Sequence, residues 1–217
     1  METTMKTLLL NAHPDNNNPN SFTFALKEEF LKHYKRMFPE NEIEVLDLYD
    51  EQIPTLSHTE LTGVWKKQEN DEILTQSESI IAIQSEKLLK QFKISDHIII
   101  ATPLHNFNIS SRLKDYLDNI LIAKHTFKYT ESGESVGLMQ NHKCLVLQSS
   151  GCVYTDKSSI YANMDFAKQY LETMFKNIMD FDDFNIIRAE GTDFVERSVI
   201  LEKSKIEIQN YMSKFYQ

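Results

Sequence analysis

Five short apolar runs, separated by stretches with helical spacing, constrain the fold of this chain more than any other feature. Four of them are nearly continuous in leucine, isoleucine and valine, which is typical of strands buried on both faces of a sheet. The runs are Thr7–Leu10, Ile43–Leu48, His97–Ala101, Cys144–Gln148 and Phe184–Arg188. The second run is interrupted by Glu44 and Asp47, so we place it at the sheet edge.

Between the runs, apolar side chains recur at the intervals expected on one face of a helix. The five stripes are Phe22, Leu26, Phe30 and Tyr34; Leu74, Ile81, Leu88 and Phe92; Leu113, Leu117, Ile120 and Leu121; Phe166, Tyr170, Met174 and Ile178; and Leu201, Ile208, Met212 and Phe215. Regular alternation of strand and helix predicts an α/β fold, a five-stranded parallel sheet with helices on both faces. No stretch resembles a linker or a repeat, so we expect one domain over residues 1–217.

Charge and cysteine content exclude several classes of protein. The chain has 32 acidic and 23 basic residues and a net charge of -9, which disfavours a nucleic-acid partner. No apolar run approaches the roughly 20 residues needed to cross a bilayer, and the first ten residues lack a signal peptide's features. Two cysteines build no disulfide framework. We expect a soluble, cytoplasmic protein without a membrane partner.

In a parallel sheet, ligands bind where the carboxyl ends of the strands meet, and three loops fall there. The first runs from Asn11 to Thr23 and has neither a GxGxxG nor a GxxxxGK[ST] motif. A helix starting near Ser21 presents free N–H groups that suit a phosphate, and Ser21 and Thr23 add hydroxyls. Two interpretations stay open: Asn20 or Ser21 simply caps the helix, or the loop binds an anion. His13 is either a turn residue or a ligand contact.

The second and third loops follow the third and fourth runs. Asn106, Asn108 and Phe107 combine amide groups with an aromatic face, as a planar heteroaromatic ligand requires, although an ordinary connection capped by Ser110 or Ser111 is the alternative. In the third loop, Gly151 permits either close backbone approach or a positive φ. Cys152 follows it without a motif linking it to a histidine, so we predict no cysteine nucleophile.

One more segment precedes the fourth run. Phe127 and Tyr129 alternate with polar residues, and Gly133 and Gly137 follow, which predicts a small hairpin near the same sheet edge. The two aromatic rings either wall a pocket there or serve only in packing.

The chain offers no carboxylate pair at the strand ends and no histidine-rich metal spacing. We therefore predict neither a metal site nor a catalytic acid, base or nucleophile. A bound cofactor is the natural carrier of chemistry in such a chain.

Several motifs together resemble the family of FMN-dependent NADH-azoreductases, also described as FMN-dependent NADH:quinone oxidoreductases. The likeness covers nearly the whole chain and is densest at PLHNFNISSRLKDYLD (residues 103–118). It continues at TFKYTESG (126–133), Gly137-Leu138, QSSG (148–151) and AEG (189–191). The resemblance implies a flavodoxin-like three-layer sandwich with strand order 2-1-3-4-5 and one FMN per chain.

The resemblance also implies which residues bind. Ser21, Phe22 and Thr23 match the positions that hold the FMN phosphate, and His13 matches a position on the phosphate side. The isoalloxazine ring would be contacted by two segments, which are Leu104, His105, Asn106 and Phe107, and Ser149, Ser150, Gly151 and Cys152. Phe107 and Tyr129 match aromatic residues of the substrate pocket, with Tyr129 contributed across a dimer interface.

The implied activity is ping-pong, two-electron hydride transfer from NADH through bound FMN to quinones or azo compounds, in a homodimer. Four positions depart from the family pattern: His105 replaces tyrosine or tryptophan, Ser150 replaces arginine or asparagine, Cys152 replaces glycine, and Phe22 replaces a polar residue. A flavodoxin-type one-electron carrier and a flavin-free interaction module on the same fold are the alternatives.

Overall fold

The computed structural model describes residues 5–217, which form a three-layer α/β sandwich. The strands of its main sheet are β1 (Thr7–Asn11), β2 (Ile43–Asp47), β3 (His97–Pro103), β6 (Lys143–Ser150) and β7 (Asp183–Glu190). All neighbouring pairs are parallel, in the order β2-β1-β3-β6-β7. Counting only these five strands, the order is the predicted 2-1-3-4-5, and the interrupted run does lie at the edge as β2.

Helices cover both faces of the sheet. They are α1 (Phe22–Met37), α2 (Leu61–Glu69), α3 (Gln76–Lys93), α4 (Ser111–Ile120), α5 (Phe166–Glu172) and α6 (Arg197–Phe215). One core layer packs α3, α4 and α5 against the sheet around Phe92, Leu117 and Phe175. The other packs α1 and α6 against the opposite face around Phe30 and Met212. No helix among residues 5–217 has the length and apolar character to span a membrane.

The fourth predicted stripe is wrong by one residue. Phe166 is exposed, and the buried row is instead Ala167, Leu171, Phe175 and Met179. After α5 the chain continues as a π-helical segment, Thr173–Ile178. Two smaller differences concern α2, which the apolar pattern did not indicate, and Leu74, which precedes the N-cap of α3 rather than lying on the helix.

The predicted hairpin is present, with β4 (Phe127–Tyr129) antiparallel to β5 (Ser135–Gly137). Its expected position is wrong. Gly137 lies against the backbone of Met179, and Gln140 Nε2 donates to Asp180 Oδ2 at 2.7 Å. Both partners precede the start of β7, so the base of the hairpin lies at the amino ends of the strands. Within one chain, it is therefore remote from the loops at the carboxyl ends.

Candidate active site

The first loop ends in a helix N-terminus whose leading amides are free. Ser21 is the N-cap of α1, and its Oγ accepts from the Phe24 amide at 3.3 Å. Among the described residues, the amides of Phe22 and Thr23 have no hydrogen-bond partner. They add to the positive end of a 16-residue helix, which favours an anion at this point. The capping role of Ser21 and an anion site are thus compatible, since the cap uses the Ser21 oxygen as an acceptor and leaves its hydroxyl hydrogen and the two amides as donors.

His13 orients the Ser21 hydroxyl. Its Nδ1 accepts from the Asp15 amide at 3.0 Å, so the ring proton lies on Nε2, which is 3.0 Å from Ser21 Oγ. Burial lowers the pKa of His13, although Asp15 opposes the shift, and the neutral ring is favoured. With Nε2–H donated to its oxygen, the Ser21 hydroxyl hydrogen is left to point outward.

Arg197, the first residue of α6, holds the same loop from behind. Its guanidinium donates to the carbonyls of Asn20 (2.6 Å), Pro19 (3.3 Å) and Ser21 (3.4 Å). It also covers the Phe22 ring, with Cζ 4.5 Å from the ring centroid. The Phe22 side chain is therefore engaged by Arg197, and only its backbone amide faces the anion site. Sequence reasoning missed Arg197, which lies far from the loop along the chain.

Two hydrogen bonds join the three loops at the carboxyl ends of the strands. Thr23 Oγ1 lies 2.6 Å from Ser149 Oγ, which connects the first loop to the third. The Leu104 amide donates to the Ser149 carbonyl at 2.8 Å, which connects the second loop to the third. Ser149 is consequently the common neighbour of all three loops, as their position at the sheet rim predicts.

The second loop is a tight turn with an uncommon backbone. The amides and carbonyls of His105 and Asn108 bond reciprocally, both at 2.9 Å. Asn106 (φ 46°) and Phe107 (φ 66°) between them are both in the left-handed region, the pattern of a type I′ turn. A bulky residue such as phenylalanine is rarely found there, and such strain concentrates at functional sites. The turn leaves His105, Asn106 and Phe107 exposed at the rim.

The third loop is contacted by acidic residues at the end of β7 and just after it. An ideal Cβ on Gly151 would lie 2.4 Å from Asp193 Oδ2, so a larger residue would displace the Asp193 carboxylate, and the φ of Gly151 is not positive. Ser150 Oγ donates to the Cys152 carbonyl at 2.9 Å. Glu190 accepts from the amides of Tyr154 and Thr155 at 2.8 and 3.2 Å. Cys152 is half-buried, as a free thiol.

Two tyrosines that the sequence analysis did not single out lie beside Phe107. The Phe107 ring stacks on Tyr161 with centroids 6.2 Å apart, and meets Tyr154 edge-on at 6.5 Å. Burial raises the pKa of Tyr154, so its hydroxyl stays neutral at ordinary pH. The three rings give the rim an aromatic wall of the kind that planar ligands use. Tyr154 is the last residue of the third loop and Tyr161 follows it, and their aromatic character was the available signal.

The hairpin residue Tyr129 is not part of this constellation. Its side chain is 65% exposed, and its nearest aromatic partner is Phe127, at 5.4 Å. The structure thus brings together the predicted residues of the three loops, and leaves Tyr129 apart within one chain. Within residues 5–217, no three His, Cys, Asp or Glu side chains are grouped closely enough to hold a metal ion.

A parallel sheet of this order, with three joined loops at its carboxyl rim, defines a flavodoxin-like α/β protein. A family model described as a flavodoxin-like fold matches residues 5–212. An FMN-dependent NADH:quinone oxidoreductase of Streptococcus agalactiae is 42% identical over 98% of this chain and 99% of its own. FMN-dependent NADH:quinone oxidoreductase 1 of Lactiplantibacillus plantarum is 44% identical over 97% of this chain and 99% of its own. The chain therefore belongs to the flavodoxin-like family that contains the FMN-dependent NADH:quinone oxidoreductases.

A solved structure agrees with this assignment. The FMN-dependent NADH-azoreductase of Bacillus anthracis, crystallised in complex with FMN, superposes with a TM-score of 0.91 at 39% identity. The match covers 97% of this chain and 98% of the azoreductase. The family resemblance that the motifs indicated is confirmed over essentially the full length.

Proposed function

We propose that this protein is an FMN-dependent NADH:quinone oxidoreductase that also reduces azo compounds. The observation that carries the proposal is the joining of three loops through Ser149, beside a helix N-terminus with two free amides. Relatives at 42% and 44% identity are named for this activity, and the likeness extends over nearly all of both chains. An acidic cytoplasmic enzyme with two free thiols is consistent with the composition.

The donors in the first loop fit a phosphate monoester. The amides of Phe22 and Thr23 and the hydroxyls of Ser21 and Thr23 would hold the FMN phosphate, with His13 orienting Ser21. All of these groups can donate, as a dianion needs. Phe22 contributes only its amide, because Arg197 covers its ring. This explains how an apolar side chain is tolerated at a position that is usually polar in the family.

The second and third loops would hold the isoalloxazine ring. Leu104, His105, Asn106 and Phe107 present one rim, and Ser149, Ser150, Gly151 and Cys152 the other, with the Leu104 amide bonded to Ser149 between them. When bound there, FMN would supply two-electron chemistry, with NADH as the donor and a quinone or azo compound as the acceptor. Asn106 and the neighbouring amides would stabilise negative charge that develops there.

We further propose that the substrate pocket is completed by a second copy of the chain. Phe107 lies at the rim, whereas the hairpin that carries Tyr129 lies at the opposite ends of the strands. An exposed aromatic side chain so far from the loops can serve the pocket only from another subunit. A homodimer in which Tyr129 of one protomer reaches the rim of its partner accounts for both positions.

The test is reconstitution of the purified protein with FMN, followed by NADH oxidation with and without benzoquinone or methyl red. We expect stoichiometric FMN binding, bleaching of the flavin by NADH, and turnover only when an acceptor is present. A plot of reciprocal rate against reciprocal NADH should give parallel lines at different acceptor concentrations. Tight FMN binding without acceptor-dependent turnover would indicate a one-electron carrier. Failure to bind FMN would remove the flavoprotein proposal.

A further inference from the structure

We propose that Arg188 is a positioning residue that holds the strained turn at Asn106 and Phe107 through Asp165 and the Phe166 amide. Arg188 lies near the carboxyl end of β7, and its guanidinium contacts Asp165 Oδ2 at 2.5 Å and Gln148 Oε1 at 2.9 Å. The two charged side chains are only 9% and 8% exposed. Because desolvating two charges is costly, the pair is favourable only when its geometry is good, and removing one partner leaves an uncompensated buried charge.

Asp165 passes this constraint to helix α5. It is the N-cap of the helix, and its second oxygen, Oδ1, accepts from the Lys168 amide at 3.0 Å. One carboxylate oxygen is therefore fixed by Arg188 and the other by the first turn of the helix. The position of Phe166, the residue that follows the cap, is set by both contacts.

Phe166 connects the helix to the turn. Its amide donates to the Phe107 carbonyl at 3.1 Å. The bonds between His105 and Asn108 close the turn upon itself, whereas the bond from Phe166 ties it to another element. A non-glycine residue at φ 66° persists only where the surroundings hold it, and this amide is such a support.

Arg188 also contacts the neighbouring loop. Gln148 directly precedes the loop of Ser149 to Cys152 and is almost completely buried. One guanidinium thus stands behind both of the loops that we propose to contact the flavin ring. The hydrogen bonds from Arg188 through Asp165 and Phe166 to Phe107 are observed in the structure. Their effect on FMN affinity rests on the proposed function.

The experiment measures amide hydrogen exchange and FMN affinity on the full chain, with Arg188→Met and Asp165→Asn as the first variants. Asparagine keeps an N-cap acceptor while removing the charge, so the ion pair is tested apart from the cap. We expect faster exchange over residues 104–110 in the FMN-free protein. The dissociation constant for FMN should rise about two- to tenfold, the equivalent of one hydrogen bond. Glu172→Gln, which removes an exposed ion pair with Lys168 on the same helix, should change neither quantity.

A second pair of variants tests the connection itself and leaves the ion pair intact. Phe166→Pro removes the amide hydrogen at the first position of a helix, where proline is well tolerated. Phe166→Ala removes the exposed ring and keeps the amide. If Phe166 carries the constraint, only the proline variant accelerates exchange at 104–110 and weakens FMN binding. Together with Asp165→Asn, which removes the charge that Arg188 pairs with, this pair tests the proposal even if Arg188→Met does not fold.

The outcomes separate the two proposals. If the unaltered protein binds no FMN, the proposed function fails, and the exchange measurements still test the role of Arg188. If it binds FMN, but Asp165→Asn and Phe166→Pro leave both exchange at 104–110 and FMN affinity unchanged, Arg188 has no positioning role. A loss of thermal stability alone, without either local effect, would likewise overturn the inference.

Discussion

Thr23 and Ser149 are 126 residues apart in the chain, yet their hydroxyl oxygens lie 2.6 Å from each other. Thr23 belongs to the first turn of α1, and Ser149 to the carboxyl end of β6. Either hydroxyl can donate in this bond, so one hydrogen remains available to a ligand. The contact joins the proposed phosphate site to the loop proposed to contact the flavin ring.

The double substitution Ser21→Ala with Thr23→Ala should weaken FMN binding roughly ten- to hundredfold or more, because each hydroxyl contributes about 0.5–1.5 kcal/mol and more to a charged group. Titration of the FMN-free protein, followed by quenching of flavin fluorescence, measures the change. An unaltered dissociation constant would place the phosphate elsewhere.

A matched variant separates loss of a helix cap from loss of a ligand contact. Thr75 caps α3 with the same kind of side-chain bond, and the loops at the rim do not include it. Thr75→Ala should cost about 1 kcal/mol of stability, as Ser21→Ala does through its cap. It should leave the affinity for FMN as it is.

The composite pocket predicts complementation between two inactive variants. In Tyr129→Ala each rim lacks the partner's ring, and in Phe107→Ala each rim lacks its own. A mixed dimer places both substitutions in one pocket and leaves the other pocket intact. Mixing the two proteins under conditions of subunit exchange should therefore restore quinone reduction toward a quarter of the unaltered rate. A monomeric mass in analytical ultracentrifugation, or no recovery of quinone reduction on mixing, would argue against a shared pocket.

Gly137 should be among the least replaceable glycines of the chain. A Cβ there would lie 2.4 Å from the Met179 carbonyl carbon, a backbone atom that cannot rotate aside as the end of a side chain can. Gly137→Ala should lower the melting temperature by several degrees by displacing the hairpin. Gly133→Ala is the comparison: it meets open space but has φ +86°, so it should cost only about 1 kcal/mol. Thermal unfolding of both variants decides between steric and backbone effects.

Acid should destabilise the fold through His97. Burial, with a smaller contribution from Lys143, lowers the pKa of this histidine to about 4, while its Nε2–H donates to the Phe215 carbonyl at 3.1 Å. Since the unfolded chain takes up the proton near pH 6.5, stability is complete above that pH. It falls as the pH drops toward 4, by at most about 3 kcal/mol.

Urea denaturation at several pH values tests this assignment, with His97→Gln as the comparison. Burial also lowers the pKa of His13 and His33, so the difference between the two proteins isolates the contribution of His97. Parallel pH profiles for the two proteins would show that His97 is not responsible.

The main sheet was predictable because its signal is local: a continuous apolar run identifies a buried strand, and interrupting acids identify an edge. Helix α2 gave little signal, since only Leu61 and Val64 are buried and Glu60 makes no side-chain cap. The fourth stripe failed for another reason. Two adjacent rows of apolar residues share the same spacing, and one of them begins with Ala167, so only packing against the sheet distinguishes them.

The loops of the candidate site were predictable by position, because the carboxyl ends of parallel strands meet. The side chains that support these loops were not predictable from the sequence. Arg197 and Arg188 act on loops that are distant in the chain, and no spacing rule connects a cation to a carbonyl 177 residues away. The place of the hairpin was missed because its own residues specify the turn but not the element against which it packs.

Besides packing on Phe22, Arg197 separates the hydrogen-bond acceptors of the first loop from its donors. By taking up three successive carbonyls, it turns the acceptors of Pro19, Asn20 and Ser21 to one side and leaves the donors at the head of α1 to the other. The head of α1 therefore presents hydrogen-bond donors, which suit an anion. We therefore expect FMN binding to need no divalent cation, in contrast to sites where a metal ion accompanies the nucleotide.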